Sequence, residues 1–157
     1  MKESLIKLVG ELRLNGCIRF FEPIPLERVP QLLANANLGV VPKRASDFFG
    51  NEAFSTKIME IMSQGLPVVV TRTRIDSYYF DNTVVRFFES DNVGDLARAF
   101  VELATDRELR ERMSRNGLEF VARNSWDTKK QDYLDLVDSL VEDDQRKPGE
   151  AGGRVEA

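Results

Sequence analysis

Residues 50–70 read GNEAFSTKIMEIMSQGLPVVV. The stretch is a loop, a short helix, a glycine and a strand, in the order that a parallel α/β unit demands. From residue 56 to about 64, Ile58, Ile61 and Met62 share one face at helical spacing, and Glu60 projects almost opposite them. Gly65 is placed to end the helix in a left-handed conformation. The run LPVVVT, 66–71, is the strongest strand signal in the chain, with Pro67 at its first position, where proline costs least.

Working outward, LGVVP at 38–42 is an apolar run closed by proline and reads as a buried strand. TVVRFFE at 83–89 and CIRFFE at 17–22 are further strand candidates. Cys17, just ahead of IRFF, reads as a small buried hydrophobe. LIKLVGELRL reads as a helix stopped by Asn15–Gly16, and LERVPQLLANAN as another, with Pro30 tolerable in its first turn. Residues 43–54, KRASDFFGNEAF, are aperiodic and read as a loop. RTRIDSYYFDN is a second loop, with room for a short helical turn. Downstream, NVGDLARAFVELATD is amphipathic with Leu96, Phe100, Val101 and Leu103 on its apolar side. DRELRERMSRNGLEFVARNSW reads as a helix broken near the NG at 116–117, and WDTKKQDYLDLVDSLVED as a last helix capped near Asp127 or Thr128. Residues 143–157 are polar and glycine-rich, and disorder is expected there.

Strands alternating with helices through residue 90 imply an α/β fold, a mostly parallel Rossmann-like sheet with helices on both faces. Four strands is few for that architecture, the chain opens on a helix, and it carries no GxGxxG turn. The simplest organisation is one partial Rossmann-like domain over residues 1–142, missing its first strand–helix unit, followed by the tail.

Composition narrows the chemistry. Of 157 residues none is histidine and one is cysteine, which excludes a Ser-His-Asp triad, His-built metal sites, cysteine zinc clusters and intrachain disulfides. A formal charge of −4 disfavours nonspecific nucleic-acid binding but allows a local anion pocket. No window approaches 18 apolar residues, so no transmembrane segment is expected. The N-terminus does not read as a signal peptide. The expected location is cytoplasmic, with the inner membrane face reachable through a partner.

In an open α/β sheet, ligands bind at the carboxyl ends of the strands. The loops after 38–42 and 67–71 open on that edge, so Glu52, Lys57 and the segment 71–74 can line one crevice. Free N–H groups at the helix start near Ser55 and Thr56 suit a phosphate. Lys57 opposes the helix dipole until a diphosphate is bound. Glu60 matches the paired hydroxyls of a ribose, and Glu52 the hydroxyls of a sugar or charge developing at its anomeric carbon. Each residue also has an ordinary role: Glu60 solvated, Lys57 paired with a neighbouring glutamate, Ser55 and Thr56 as caps, Arg72 and Arg74 on a solvated edge.

The segment EAFSTKIME, running into IMSQGLPVVV, resembles the E-x7-E region of retaining glycosyltransferases of the GT-B fold, family 4. The resemblance takes in IRFFEPIPLERVPQLLANANLGVVPKR upstream and FFESDNVGDLARAFVELATDRELRERMSRNGLEFVARNSW downstream, roughly residues 17–140. It implies that Glu60 holds the nucleotide ribose and that Glu52 lies near the donor sugar and its departing phosphate. It further implies that the backbone at Phe54, Ser55 and Thr56 approaches sugar and phosphate, and that Lys57 matches a lysine of bacterial polysaccharide members. Lys43 and Arg44 are further candidates for base or phosphate. The implied function is the donor-binding part of a transferase using a nucleoside-diphosphate sugar, with no other cofactor, in polysaccharide or glycoconjugate synthesis. The family's G-R-x4-K-G segment and its acceptor-binding N-terminal domain do not occur in this sequence, and TRTRIDSYYFDN replaces the usual GG loop. An acceptor domain or subunit is therefore the expected partner, with Arg72 or Arg74 standing in part for the basic pair, and the chain alone is expected to be inactive. The alternatives are a noncatalytic nucleotide-binding module and an interaction module dimerising through LIKLVGELRL or residues 133–140.

Overall fold

The computed structural model describes residues 2–145, and they fall into two units, divided after Asn35. In the first unit, helix α1 spans Lys2–Glu11 and helix α2 spans Val29–Leu33 behind a tight turn at Leu26–Arg28. Pro30 lies in the first turn of α2, where its missing N–H removes no helical bond. Residues 17–22 do not form the expected strand, and Cys17 is exposed rather than buried. Their β-branched and aromatic side chains favour extended backbone, but a strand exists only by pairing, and no ladder reaches this segment.

The second unit carries the sheet. Its elements are β1 (Gly39–Val41), α3 (Phe48–Glu52), α4 (Thr56–Ser63), β2 (Val68–Thr71), α5 (Arg74–Tyr79), β3 (Arg86–Phe88), α6 (Val93–Thr105), α7 (Arg107–Arg123) and α8 (Trp126–Gln145). The three strands run parallel in the order β1-β2-β3, with Val41 opposite Val70 and Val70 opposite Phe87. Among the described residues three strands therefore stand where the sequence suggested four. The α/β class, the parallel sheet and the helices on both faces are as expected.

Strand alternation distributes the core. Val68, Val70 and Phe87 point to the face covered by α4, where Ile58 and Met62 have at most 1% exposure. Val69 and Phe88 point to the other face, where Ala99 and Leu103 of α6 and Met113 of α7 enclose them. Gly65 ends the α4 turn at φ +71°, the left-handed region a side chain disfavours. The NG at 116–117 does not break α7. Gly117 is buried with Met62 side-chain atoms 3.3–3.5 Å from where its Cβ would be, so the glycine serves helix packing rather than helix termination. Val101, read as part of the α6 apolar side, is 61% exposed, and Ala99 takes the buried position instead. Ser125, not Asp127 or Thr128, accepts from the amide of Thr128 at the start of α8. The tail expected from residue 143 begins as the last turn of α8, and the rest of it lies outside the described residues.

Ile58→Ala is expected to lower the unfolding free energy by about 2–4 kcal/mol, because the cavity would open between α4 and the sheet. Val101→Ala should change it by less than about 0.5 kcal/mol. Urea denaturation of the two variants measures the contrast between a buried and an exposed helix position.

Candidate functional site

All three strands end on one edge, and the loops that leave it are tied together by a small buried polar cluster. The backbone N–H of Lys43, just past β1, donates to Thr71 Oγ1 at the end of β2 at 2.8 Å. The Lys43 ammonium donates to Asp76 Oδ2 at 2.6 Å and to the carbonyl of Ala53 at 2.9 Å. Thr73 caps α5: its Oγ1 accepts from the amide of Asp76 at 3.2 Å and donates to Asp76 Oδ2 at 2.6 Å. The side chain of Asp76 is fully buried and that of Lys43 is 11% exposed. Asp76 Oδ1 is buried without a partner. Lys43, a candidate for base or phosphate, thus has two acceptors within the fold.

The predicted residues lie around this cluster. Glu52 is the last residue of α3, and its carboxylate lies 3.5 Å from the Arg74 guanidinium. Together with Tyr78 and Tyr79 these two line a cleft of about 560 Å³. Phe54 packs edge-on to Tyr79 and stacks near Phe80, with centroids 5.0 and 5.9 Å away. It also lines a neighbouring cleft of about 480 Å³ with Met59, Phe120 and Asn124. Ser55 occupies the N-cap of α4 but makes no side-chain bond to its first turn. Thr56, Lys57 and Glu60 are exposed, and Glu60 lines neither of these two clefts. Lys57 pairs with neither glutamate. The structure therefore brings Glu52, Phe54 and the start of α4 into one neighbourhood, with Glu60 one turn further along α4.

Arg72 is occupied elsewhere. It bonds Glu89 at 2.9 Å and its guanidinium lies 4.6 Å from the centroid of the Phe87 ring. Arg44 is exposed and borders a third cleft of about 300 Å³ with Phe88, Asn92 and Leu96, between the ends of β1 and β3. The loop floor there is fixed by Asp95, whose Oδ2 accepts from the amide of Glu89 at 2.8 Å, and that bond holds the carboxyl below the usual carboxylate range. Sequence reasoning passed over Asp76. Its signal was present as T-x-x-D at 73–76, the capping-box spacing, inside a segment read as a loop.

The family described as "Glycosyl transferases group 1" matches residues 1–120. A probable sucrose-phosphate synthase 4 of Oryza sativa subsp. japonica is 28% identical over 142 residues, 87% of this chain and 13% of that protein. A D-inositol 3-phosphate glycosyltransferase of Corynebacterium jeikeium is 28% identical over 139 residues, 88% of this chain and 32% of that protein. Among solved structures, a sucrose-phosphate synthase from Thermosynechococcus elongatus superposes with a TM-score of 0.77 at 22% identity, over 89% of this chain and 34% of that one. The fold is thus shared with a GT-B enzyme, and this chain spans about a third or less of each of these proteins.

The two ion pairs of the site should differ sharply in worth. Asp76→Ala leaves a nearly buried ammonium unpaired and is expected to cost about 3 kcal/mol or more. Arg74→Ala removes a pair whose arginine is 79% exposed and should cost less than about 1 kcal/mol. Thermal or urea unfolding of the two variants measures the contrast.

Proposed function

The chain belongs to the group 1 glycosyl transferases, and on that premise we propose that it is the donor-binding part of a retaining, family 4 type enzyme that takes a nucleoside-diphosphate sugar. One observation carries the reading. Four of the five helices between residues 48 and 123 have a side chain capping their first turn, from Asp47, Thr73, Asn92 and Asp106. The exception is α4, which has a serine at its N-cap and leaves it unused. That helix start lies at the carboxyl edge of the sheet, directly after Glu52 and Phe54.

In this reading the amides of residues 55–57 receive the diphosphate, with Lys57 adding charge. Glu60 accepts from the ribose hydroxyls. Glu52 faces the donor sugar. During transfer the bond between the anomeric carbon and the diphosphate oxygen breaks, and the oxygen takes the electron pair. The helix amides stabilise that charge. The acceptor oxygen forms the new bond on the same face of the sugar and passes its proton to the departing diphosphate oxygen. The acceptor is held by a further domain or subunit, consistent with the small share of the relatives that this chain spans. In this reading the chain supplies the donor-binding, carboxyl-side part of a two-domain enzyme, and transfer requires the part that holds the acceptor. A polysaccharide or glycoconjugate product and a cytoplasmic site of action complete the proposal. Among the described residues no helix is long and apolar enough to cross a membrane.

A second reading, an interaction module, draws on α8, along which Trp126, Tyr133, Leu136, Leu140 and Val141 are each more than half exposed. In that case the chain would bind no nucleotide.

Calorimetric titration with nucleoside diphosphates and several nucleotide sugars separates the readings. Binding weaker than about 0.1 mM is expected, because the site closes over the donor only when the acceptor-holding part joins it. Glu60→Ala should abolish it. Unchanged affinity in that variant would remove the ribose role of Glu60, and no binding by the wild-type chain would favour the interaction module.

A further inference from the structure

We propose that Asp76, acting through Lys43, is a positioning residue that sets the turn carrying Glu52, Phe54 and Ser55 for the donor. The inference rests on the donor-binding reading but concerns residues that reading does not use. Ala53 is the residue between Glu52 and Phe54, and its carbonyl is held by the Lys43 ammonium at 2.9 Å. Lys43 is held in turn by the fully buried Asp76 at 2.6 Å. Asp76 belongs to α5, whose first residue Arg74 reaches Glu52 from the other side and whose backbone N–H donates to Asn51 Oδ1 at 2.9 Å. Lys43 from just past β1 and the start of α5 therefore converge on residues 51–53, and α5 contacts that segment both directly and through the ammonium.

A buried pair placed only for stability would be an inefficient choice, since apolar residues of similar volume commonly serve as well or better. What an ammonium adds here is direction. It donates to two fixed acceptors, one in the turn at Ala53 and one in α5, which an apolar side chain cannot do. Asp76 keeps it aimed, and Thr73 orients the carboxylate by donating to the same oxygen. A shift of about 1 Å in the Ala53 peptide would carry the Glu52 carboxylate and the first amides of α4 with it. Tolerances of that size decide affinity and rate at a preorganised site.

The test uses the full chain, labelled with nitrogen-15, as wild type, Asp76→Asn, Lys43→Met and the double variant Lys43→Met/Asp76→Leu. The double variant removes both charges together, so it keeps the comparison available should Asp76→Asn fail to fold. The first readout is the Phe54 amide, which shares its peptide with the Ala53 carbonyl. Its signal is expected to move in every variant, while the β2 amides of Val69 and Val70 stay in place. The second readout is the ratio of affinities for UDP-glucose over UMP and for GDP-mannose over GMP. Loss of the anchor should lower the ratio about tenfold, because the sugar-facing turn is displaced while Glu60 is not. A general loss of stability would weaken both ligands alike and leave the ratio unchanged, overturning the positioning role. An unmoved Phe54 signal would overturn the anchoring itself. Absence of any nucleotide binding by the wild-type chain would overturn the donor reading and the role built on it, while the Phe54 signal still reports whether the anchor exists.

Discussion

The central strand imposes the conditions that the rest of the second unit meets. Val68, Val69, Val70 and Thr71 have no solvent exposure at all. A strand buried on both faces and along both edges needs a ladder on each side and apolar cover above and below. β1 and β3 supply the ladders, α4 covers one face and α6 the other. Because the three strands are parallel, each connection must cross a face of the sheet, and every strand delivers its chain to the same edge. The loops meeting there cannot all be solvated, so their backbone needs internal partners. Thr71, Lys43, Thr73 and Asp76 meet that need, and the same residues give the candidate site its shape.

What was legible in the sequence follows from the range of the forces involved. The α4–β2 unit could be read because its determinants are local: helical spacing of Ile58, Ile61 and Met62, a glycine at φ +71° and an unbroken valine run. The helix start and the two glutamates could be placed by the same local geometry. Failures came where a distant partner decides. CIRFFE has strand composition without a neighbour to pair with. Gly117 looked like a break, and Met62, more than fifty positions away, explains why it is not one. Ala99 replaced Val101 on the buried side because the covering surface fixes the rotation of α6. The role of Lys43 was out of reach for the same reason, since its acceptors, Ala53 and Asp76, lie 10 and 33 positions away.

Charge at this edge is arranged in two grades. Exposed pairs such as Arg72 with Glu89 and Arg74 with Glu52 form in high dielectric and contribute little to stability. Such pairs exchange partners at little cost. The Lys43–Asp76 pair lies in the interior, where breaking one half strands the other. The first grade suits residues that meet a ligand and the second suits residues that must not move when it binds. Glu52 belongs to the first by its 30% exposure and its long contact to Arg74, and it sits one residue away from the carbonyl that the second grade pins.

The start of α4 extends this logic to the backbone. An N-cap serine bond is worth about 1 kcal/mol, and a lysine in the first turn costs a few tenths of a kcal/mol against the helix dipole. α4 forgoes the first and accepts the second, although the other helix starts nearby are capped. Local choices that lower stability persist in proteins chiefly where function needs them. An anion seated on those amides reverses both terms at once: it satisfies the open N–H groups and turns the charge of Lys57 favourable. A ligand present at about ten times its dissociation constant stabilises the folded chain by about 1.4 kcal/mol, which is the size of what this helix start leaves unclaimed.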